Sequence, residues 1–540
     1  MEAASPELCI AMKLVRPVLR LGNKDSMAEV IASELNRTGC PRTLESIRNA
    51  IGEAQKAERK FSEALSSIGE AFLNKLEKTG EKGYVGLGRD YVVLDPEASS
   101  RTGAMFSSVR RMRYLPQAFL REHYSGVDID SLVENEYWAQ SADILKACLF
   151  VARHPLLYPI RQMNFACGPD SIKWFMEEDI FKRAGKPLLH LMTDAQTNNA
   201  PFVTRAEAHE RVVNQTPPGP LLPLESFSYR KKRPLTHNGE RLWLAPFMGE
   251  ASRLGAAAGR FRGIDARVAP TATPEAREMA DRFISTETCF PLSGVIGDIS
   301  AHLATMERER GAAFVNDRCL VFMPTTSGPC RFGKYAEIMG LLLDRLGFGG
   351  VPVISPTTAN GYLDTDALDI PVTFLKKASL LGDVYNAVYA SGVLDDLTLR
   401  FRPYSDEKTF DEAYARQLRS IENILETRGA SFRNIAPWIS ETAECFRNLS
   451  RETERFPLVL YSGEIYMRHH DPYTGWVIRA LERQGLELIR NPVAEWLRYV
   501  NCVGGKESSL PGYMAARAYM DRVDRKAARA LGGMVADRRV

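Results

Sequence analysis

The residues with the clearest chemical capacity in this sequence are three cysteines, Cys167, Cys289 and Cys330. Each lies on a Gly- or Pro-marked loop beside a predicted helix start. The first loop reads Asn164-Phe165-Ala166-Cys167-Gly168-Pro169-Asp170-Ser171, with Asp170 or Ser171 placed to cap the helix that follows. The second reads Thr286-Glu287-Thr288-Cys289-Phe290-Pro291-Leu292, where Pro291 suits the first helical position. The third, Pro324-Thr325-Thr326-Ser327-Gly328-Pro329-Cys330-Arg331-Phe332-Gly333-Lys334-Tyr335, follows an apolar strand and opens a helix over 338–346. A thiol at such a position faces the positive end of the helix and its unpaired N–H groups, which favour the thiolate. Arg331 and Lys334 add fixed positive charge, expected to lower the Cys330 pKa further, and both are candidates for contacting an anionic ligand.

Thiolates at helix starts suit an anionic metal–sulfide cluster. Iron–sulfur clusters usually take four cysteines, and three would leave one iron of a [4Fe–4S] cluster open to a ligand or substrate. The spacing is non-local, so separate structural cysteines remain an open alternative. Zinc is another, but it needs a fourth ligand, and the eight histidines show no local metal spacing. The adjacent pair His469-His470 reads as loop or surface imidazoles. The other six cysteines read as small buried hydrophobes. Cys148 lies on an apolar helical face, Cys319 precedes a core strand, and Cys9, Cys40, Cys445 and Cys502 have no loop signature. Nucleophilic catalysis finds little support, because no G-x-S-x-G elbow occurs and no cysteine has an evident histidine partner. Asp170, Glu287 and Glu464 stand near the loops as acid–base candidates, and each is also explained as a capping acid.

The elements that must position these loops are those of an α/β protein. The chain has 540 residues, 45% apolar and 25% charged, a net charge of +3 and nine cysteines without a CxxC pair. Length alone suggests three domains, give or take one. The start has no basic and apolar leader, and the apolar runs fall far short of a membrane span. A cytoplasmic protein with reduced thiols is the expectation. The densest basic run, Arg230-Lys231-Lys232-Arg233, reads as a solvated linker, so neither nucleic acid nor membrane is expected as a partner.

Apolar residues at three- and four-residue steps predict an amphipathic helix over 42–78. Beyond it, short apolar runs alternate with helical stretches. Strands are predicted at 84–87, 187–192, 241–247, 264–268, 320–323, 351–354 and 458–461, the last of them buried. Helices are predicted over 135–153, 274–285, 292–309 and 332–346, and from Thr204, where Thr204 and Glu207 form a capping box. This alternation argues stacked, Rossmann-like, doubly wound parallel sheets. Four prolines and a glycine over 215–223 mark a linker. The resulting division is an N-terminal segment and helical arm (1–80), a first α/β domain (81–214), a linker (215–235), a second α/β domain (236–365) and a third, helix-rich α/β domain (366–540). A weak internal echo pairs Gly88, Tyr91 and Asp95-Pro96 with Gly463, Tyr466 and Asp471-Pro472. Ligands in such sheets bind outside the carboxyl ends of the strands, where these loops would sit.

The segments CGPDS (167–171), TETCFPLSGVIGD (286–298), MPTTSGPCRFGKY (323–335) and SGEIYMR (462–468) resemble the activase-related proteins of the 2-hydroxyacyl-CoA dehydratase system. DAQTNNAPFVTRAEAH (194–209) resembles a further block of that family. The resemblance implies stacked Rossmann-like domains and an oxygen-sensitive iron–sulfur centre on Cys167, Cys289 and Cys330. It also implies anaerobic metabolism, an ATP-driven activator as partner, and low-potential electron transfer with an acyl-CoA as recipient. The chain departs from the family in four ways. It shows no Gly/Asp-rich ATPase start, and it lacks the cysteine-bearing segment that usually precedes the helical arm. Ala195 and Asn199 stand where relatives are acidic, and Asp90 replaces a proline. The first two departures favour an alternative expectation, a non-catalytic scaffold or partner subunit that has lost the cluster.

Overall fold

The computed structural model describes residues 15–19, 22–109, 112–130, 132–133, 136–164, 168–194, 199–217, 223–227, 241–283, 288–326, 330–356, 374–451, 454–499 and 511–531. Cys167, Cys9, Cys502, Glu287 and the basic run 230–233 lie outside them, as does most of the expected linker. Two compact units emerge. One comprises 1–128, 143–164 and 180–223, and the other 129–142, 165–179 and 224–540.

The first unit begins with α1 (Lys24–Arg37) and α2 (Leu44–Thr79). Thr43 caps α2 by accepting from the Ser46 amide, and Gly80 ends it in a left-handed conformation at φ 69°. The apolar stripe of α2 is used at its two ends. Ile47 and Ile51 pack with Ala28 and Ala32 of α1, and Leu73 and Leu76 are buried near the other end. Between them Phe61 and Ile68 are exposed. Gly69 marks a close approach, since a Cβ there would stand 2.0 Å from the Phe119 carbonyl oxygen.

β1 (Gly83–Leu87), β2 (Arg113–Pro116), β3 (Leu157–Asn164) and β4 (Leu189–Thr193) form a fully parallel sheet in the order β2-β1-β3-β4. The sequence pattern finds β1 and β4 but not β2 or β3, whose tyrosines, prolines and arginines break the apolar run. A short helix, α3 (Asp90–Val93), follows β1, α4 (Ala139–Arg153) precedes β3, and α5 (Gly168–Arg183) follows it. The helix after β4, α6 (Asn199–Gln215), starts before the predicted capping box. Thr204 is therefore interior to the helix, and its hydroxyl bonds back to the Ala200 carbonyl rather than capping.

The second unit repeats this order. β5 (Leu242–Ala245), α7 (Gly249–Phe261), β6 (Asp265–Val268), α8 (Pro274–Phe283), α9 (Phe290–Arg310), α10 (Ala312–Arg318), β7 (Cys319–Phe322), α11 (Tyr335–Arg345) and β8 (Val353–Ile354) build a parallel sheet in the order β6-β5-β7-β8. This is the α/β, Rossmann-like organisation the alternation predicted. In both sheets the direction of winding switches beside the first strand, which places ligand-accessible loops at its carboxyl edge.

Helices α12 (Phe374–Phe401), α13 (Glu407–Arg428) and α14 (Phe432–Leu449) pack with α7 around Leu254, Leu394, Phe410, Ile421, Trp438 and Phe446. They are followed by β9 (Leu458–Tyr461), α15 (Ile465–Arg468), α16 (Asp471–Arg483) and β10 (Glu487–Arg490), with α17 (Pro511–Ala530) at the end. β9 and β10 form a parallel pair. β9 was expected to be buried, but Leu458 and Leu460 are 55% and 63% exposed. A two-stranded ribbon covers only one face of its strands. The internal echo has a counterpart in the fold, because β1 leads through Gly88 into α3, as β9 leads through Gly463 into α15.

Candidate functional site

Cys289 is the N-cap of α9, a 21-residue helix with a proline in its first turn, so the thiol stands at a positive helix end as predicted. It is 4% exposed. Cys330 is the N-cap of a single 3-10 turn, Arg331–Lys334, and α11 begins only after that turn. Gly333 in this turn has no room for a side chain, because a Cβ would meet the Tyr137 hydroxyl at 2.1 Å and the Thr326 carbonyl at 2.3 Å. The turn is thus pressed onto the strand-end loop of β7 and the segment before α4.

The two described thiols share their neighbours. Arg331 Nη1 donates to Cys289 Sγ at 3.6 Å, and the Tyr335 hydroxyl lies 3.8 Å from the same sulfur. Tyr335 is fully buried, and burial, Glu464 and Cys289 push its pKa upward. Both thiols bear on it. The Cys330 thiol is itself pushed up, first by burial and also by Glu464, while the Phe332 amide, Arg331 and Arg468 act in the opposite direction. This corrects the expectation of a lowered pKa, since the loss of solvent outweighs the nearby cations.

Cys167 lies outside the described residues, but the chain just after it is tied to both other cysteines. α5 begins at Gly168, the next residue. Neither Asp170 nor Ser171 caps it. Asp170 sits in its first turn, and the Ser171 hydroxyl donates to the Gly168 carbonyl. The Ser171 carbonyl accepts the backbone amide of Cys289 at 3.4 Å. One turn further, Lys173 pairs with Glu136 at 2.6 Å and with Glu337 at 3.2 Å. Lys334, four residues after Cys330, pairs with the same two carboxylates at 3.5 and 3.2 Å and lies 4.3 Å over the Tyr137 ring. Lys173, Lys334 and Glu136 are 1%, 1% and 2% exposed. This neutral quartet binds the start of α5 to the Cys330 turn. Arg331 thus stands at the thiols, whereas Lys334 is held in a structural ion-pair network. Burial holds the Lys334 ammonium below its usual pKa, Lys173 adding to the effect.

The loop after β9 completes the surroundings. Glu464 caps α15, its Oε2 accepting the Met467 amide at 2.9 Å. Its Oε1 is buried without a hydrogen-bond partner, and burial raises its pKa. His469 and His470, read as loop or surface imidazoles, do lie between α15 and α16 but are not at the surface, being 6% and 0% exposed. His469 Nε2 meets the Asn491 carbonyl at 3.0 Å. His470 Nε2 lies 2.6 Å from the Thr271 hydroxyl, which donates to Asp298 at 2.5 Å. His470 stacks on Tyr473 and is flanked by Tyr466 and Phe247. The aromatic spacing around the pair was the available signal for burial. Of the remaining cysteines, Cys148 and Cys319 are buried as expected, the Cys319 thiol being pushed up to about 11 by burial. Cys40 is exposed and Cys445 half-buried.

Among the described residues no group of three or more His, Cys, Asp or Glu side chains is arranged to hold a metal ion, and no helix is long and apolar enough to cross a membrane. The described donors nonetheless fit a soft metal centre in kind. The buried Cys289 thiol and the half-buried Cys330 thiol share the neighbour Arg331, and Cys167 directly precedes a helix bonded to the Cys289 amide.

No curated protein and no solved structure matches the chain. Residues 7–118 match the family model described as CoA enzyme activase uncharacterised domain (DUF2229). That span covers α1, α2, β1 and β2, well under half of the 540 residues, and lies outside all three cysteine loops. The segment 7–118 is therefore similar to a domain of the CoA enzyme activases.

Proposed function

We propose that the second unit carries an iron–sulfur cluster on Cys167, Cys289 and Cys330. In this reading the chain is a low-potential electron carrier of a CoA-enzyme-activase system of the 2-hydroxyacyl-CoA dehydratase type. Its partners are an ATP-driven activator and a dehydratase component, and an acyl-CoA is the final electron acceptor. The observation that carries this reading is the bracing of the three cysteine-bearing segments. The Cys289 amide bonds to the first turn of α5, Arg331 beside Cys330 bonds to the Cys289 sulfur, and the Lys173–Glu136–Lys334–Glu337 quartet joins α5 to the Cys330 turn.

A bound [4Fe–4S] cluster supplies one-electron chemistry and, with three thiolates, one iron free of protein sulfur. The chain's own residues set the conditions. Arg331 offsets thiolate charge at Cys289, the α9 terminus adds its N–H groups there, and the burial of Cys289, Tyr335 and Phe332 excludes water. Exclusion of water and positive neighbours both act on a redox centre's potential.

Single substitutions test the ligand set. After anaerobic reconstitution, Cys289→Ser and Cys330→Ser are expected to lose most bound iron, while Cys148→Ser, on a buried helical face, retains it. Equal iron in all three variants would remove these cysteines from the ligand set. Protein that never takes up iron would leave the non-catalytic partner reading.

A further inference from the structure

Beside the two thiols stand two buried polar atoms of opposite character without hydrogen-bond partners, Arg468 Nε and Glu464 Oε1. Arg468 is conspicuous among its neighbours. Arg490 is paired with Asp395 and with Asp471, the latter at 3.1 Å. Arg402 holds Glu482 at 2.7 and 2.8 Å. The carboxylates that bear on Arg468, Glu464 and Glu495, act on it through space, and Arg490 repels it. Burial and that repulsion both disfavour its charge. The guanidinium is only half-buried, but its Nε is enclosed, and an enclosed donor without an acceptor is expensive unless something supplies one. Cys330 is among the groups that bear on Arg468, so the unmet donor belongs to the neighbourhood of the thiols. Arg331 contributes a second guanidinium there. The unmet acceptor, Glu464 Oε1, lies on the residue that caps the helix ending at Arg468; the charges of Arg331 and Arg468 act on Glu464, and Glu464 acts on Cys330.

We propose that Arg468, with Arg331, forms an oxyanion-binding subsite beside Cys330, taking a carboxylate or phosphate group of a small-molecule ligand whose own O–H or N–H meets Glu464 Oε1. The subsite deepens the reading of this region as a ligand-binding redox centre but does not depend on which metal is held there. Arg468 supplies the charge-assisted bond, and Glu464 selects for a ligand that also donates.

The test is calorimetric titration of the full chain with sodium phosphate and with sodium acetate, at constant ionic strength set with sodium chloride, on both iron-free and iron-reconstituted protein. Saturable binding of at least one anion is expected. Phosphate binding tighter than acetate would assign the phosphate source, and the reverse order the carboxylate source. Arg468→Met is expected to weaken binding at least about tenfold, the scale of a lost charge-assisted bond. Arg308→Met, at an exposed arginine on α9, should leave it unchanged. Because Arg468 Nε has no protein partner to lose, Arg468→Met should melt at or above the parent's temperature, so misfolding is recognised separately. Only non-saturable, chloride-matched effects, or equal binding by the parent and Arg468→Met, would overturn the subsite. Protein that loads iron but ignores both anions fails on the subsite alone. Protein that binds an anion but never takes up iron fails on the cluster alone.

Discussion

Replacing Lys334 by methionine probes the quartet that joins the cysteine-bearing segments. In the parent, Lys173 and Lys334 balance Glu136 and Glu337 in a region where three of the four side chains are at most 2% exposed. Lys334→Met keeps most of the volume but leaves two carboxylates facing one ammonium. Breaking one partner of a buried ion pair costs about 3–5 kcal/mol, because a charge stays buried without compensation. Loss of the contact over the Tyr137 ring adds about 0.5–2 kcal/mol. At roughly 2 °C per kcal/mol for a unit of this size, the melting temperature should fall by about 7–14 °C. The double variant Lys334→Met/Glu337→Gln restores neutrality. It should cost less than the sum of its single changes by about 1–3 kcal/mol. Thermal melts followed by circular dichroism on the parent, both singles and the double give that coupling energy. A single variant costing under about 1 kcal/mol, or strict additivity in the double, would show that the four charges do not act as a unit and would refute the bracing argument.

Two further outcomes follow from burial. Burial holds both His209 and His469 at about 4, with Arg490 adding to the effect on His469. Between about pH 4 and 6.5 the unfolded chain therefore binds protons that the folded chain does not, and stability falls as pH falls through that window. Each group contributes roughly 3 kcal/mol of the loss at its end. Urea melts at pH 7 and 4.5 should show the decline, and His469→Gln, which keeps a donor for the Asn491 carbonyl, should flatten it. Gly69→Ala should destabilise the first unit by about 1–3 kcal/mol or more, because a Cβ would stand 2.0 Å from the Phe119 carbonyl. A thermal melt unchanged by that substitution would mean that α2 can move away from the 117–120 segment.

What the sequence revealed depended on how local the physics was. The α2 helix, β1, β5 to β8 and the place of Cys289 at a helix start follow from periodicity and turn residues within a few positions, and all are present, although the helix starts one residue before Pro291. β3 was hidden because it is buried on both faces yet carries Arg161 on one and Gln162 on the other, polar residues tolerated only by the surrounding tertiary structure. The quartet was equally hidden, since nothing local to Glu136 or Lys334 shows that the chain brings Lys173 to Glu337, 164 residues on, and Glu136 to Lys334, 198 residues on. The same holds for His469 and His470, whose burial depends on α9, the Thr271 loop and β10. The Cys330 pKa was misjudged because sequence shows the neighbouring cations but not the loss of solvent.

The account's central claim is that Cys167, Cys289 and Cys330 hold one cluster. Anaerobically purified protein, reconstituted with ferrous iron and sulfide, should bind about four irons and four sulfides per chain, as a [4Fe–4S] centre requires. It should show a brown colour that bleaches on reduction. Protein that stays colourless and iron-free after reconstitution would contradict the claim.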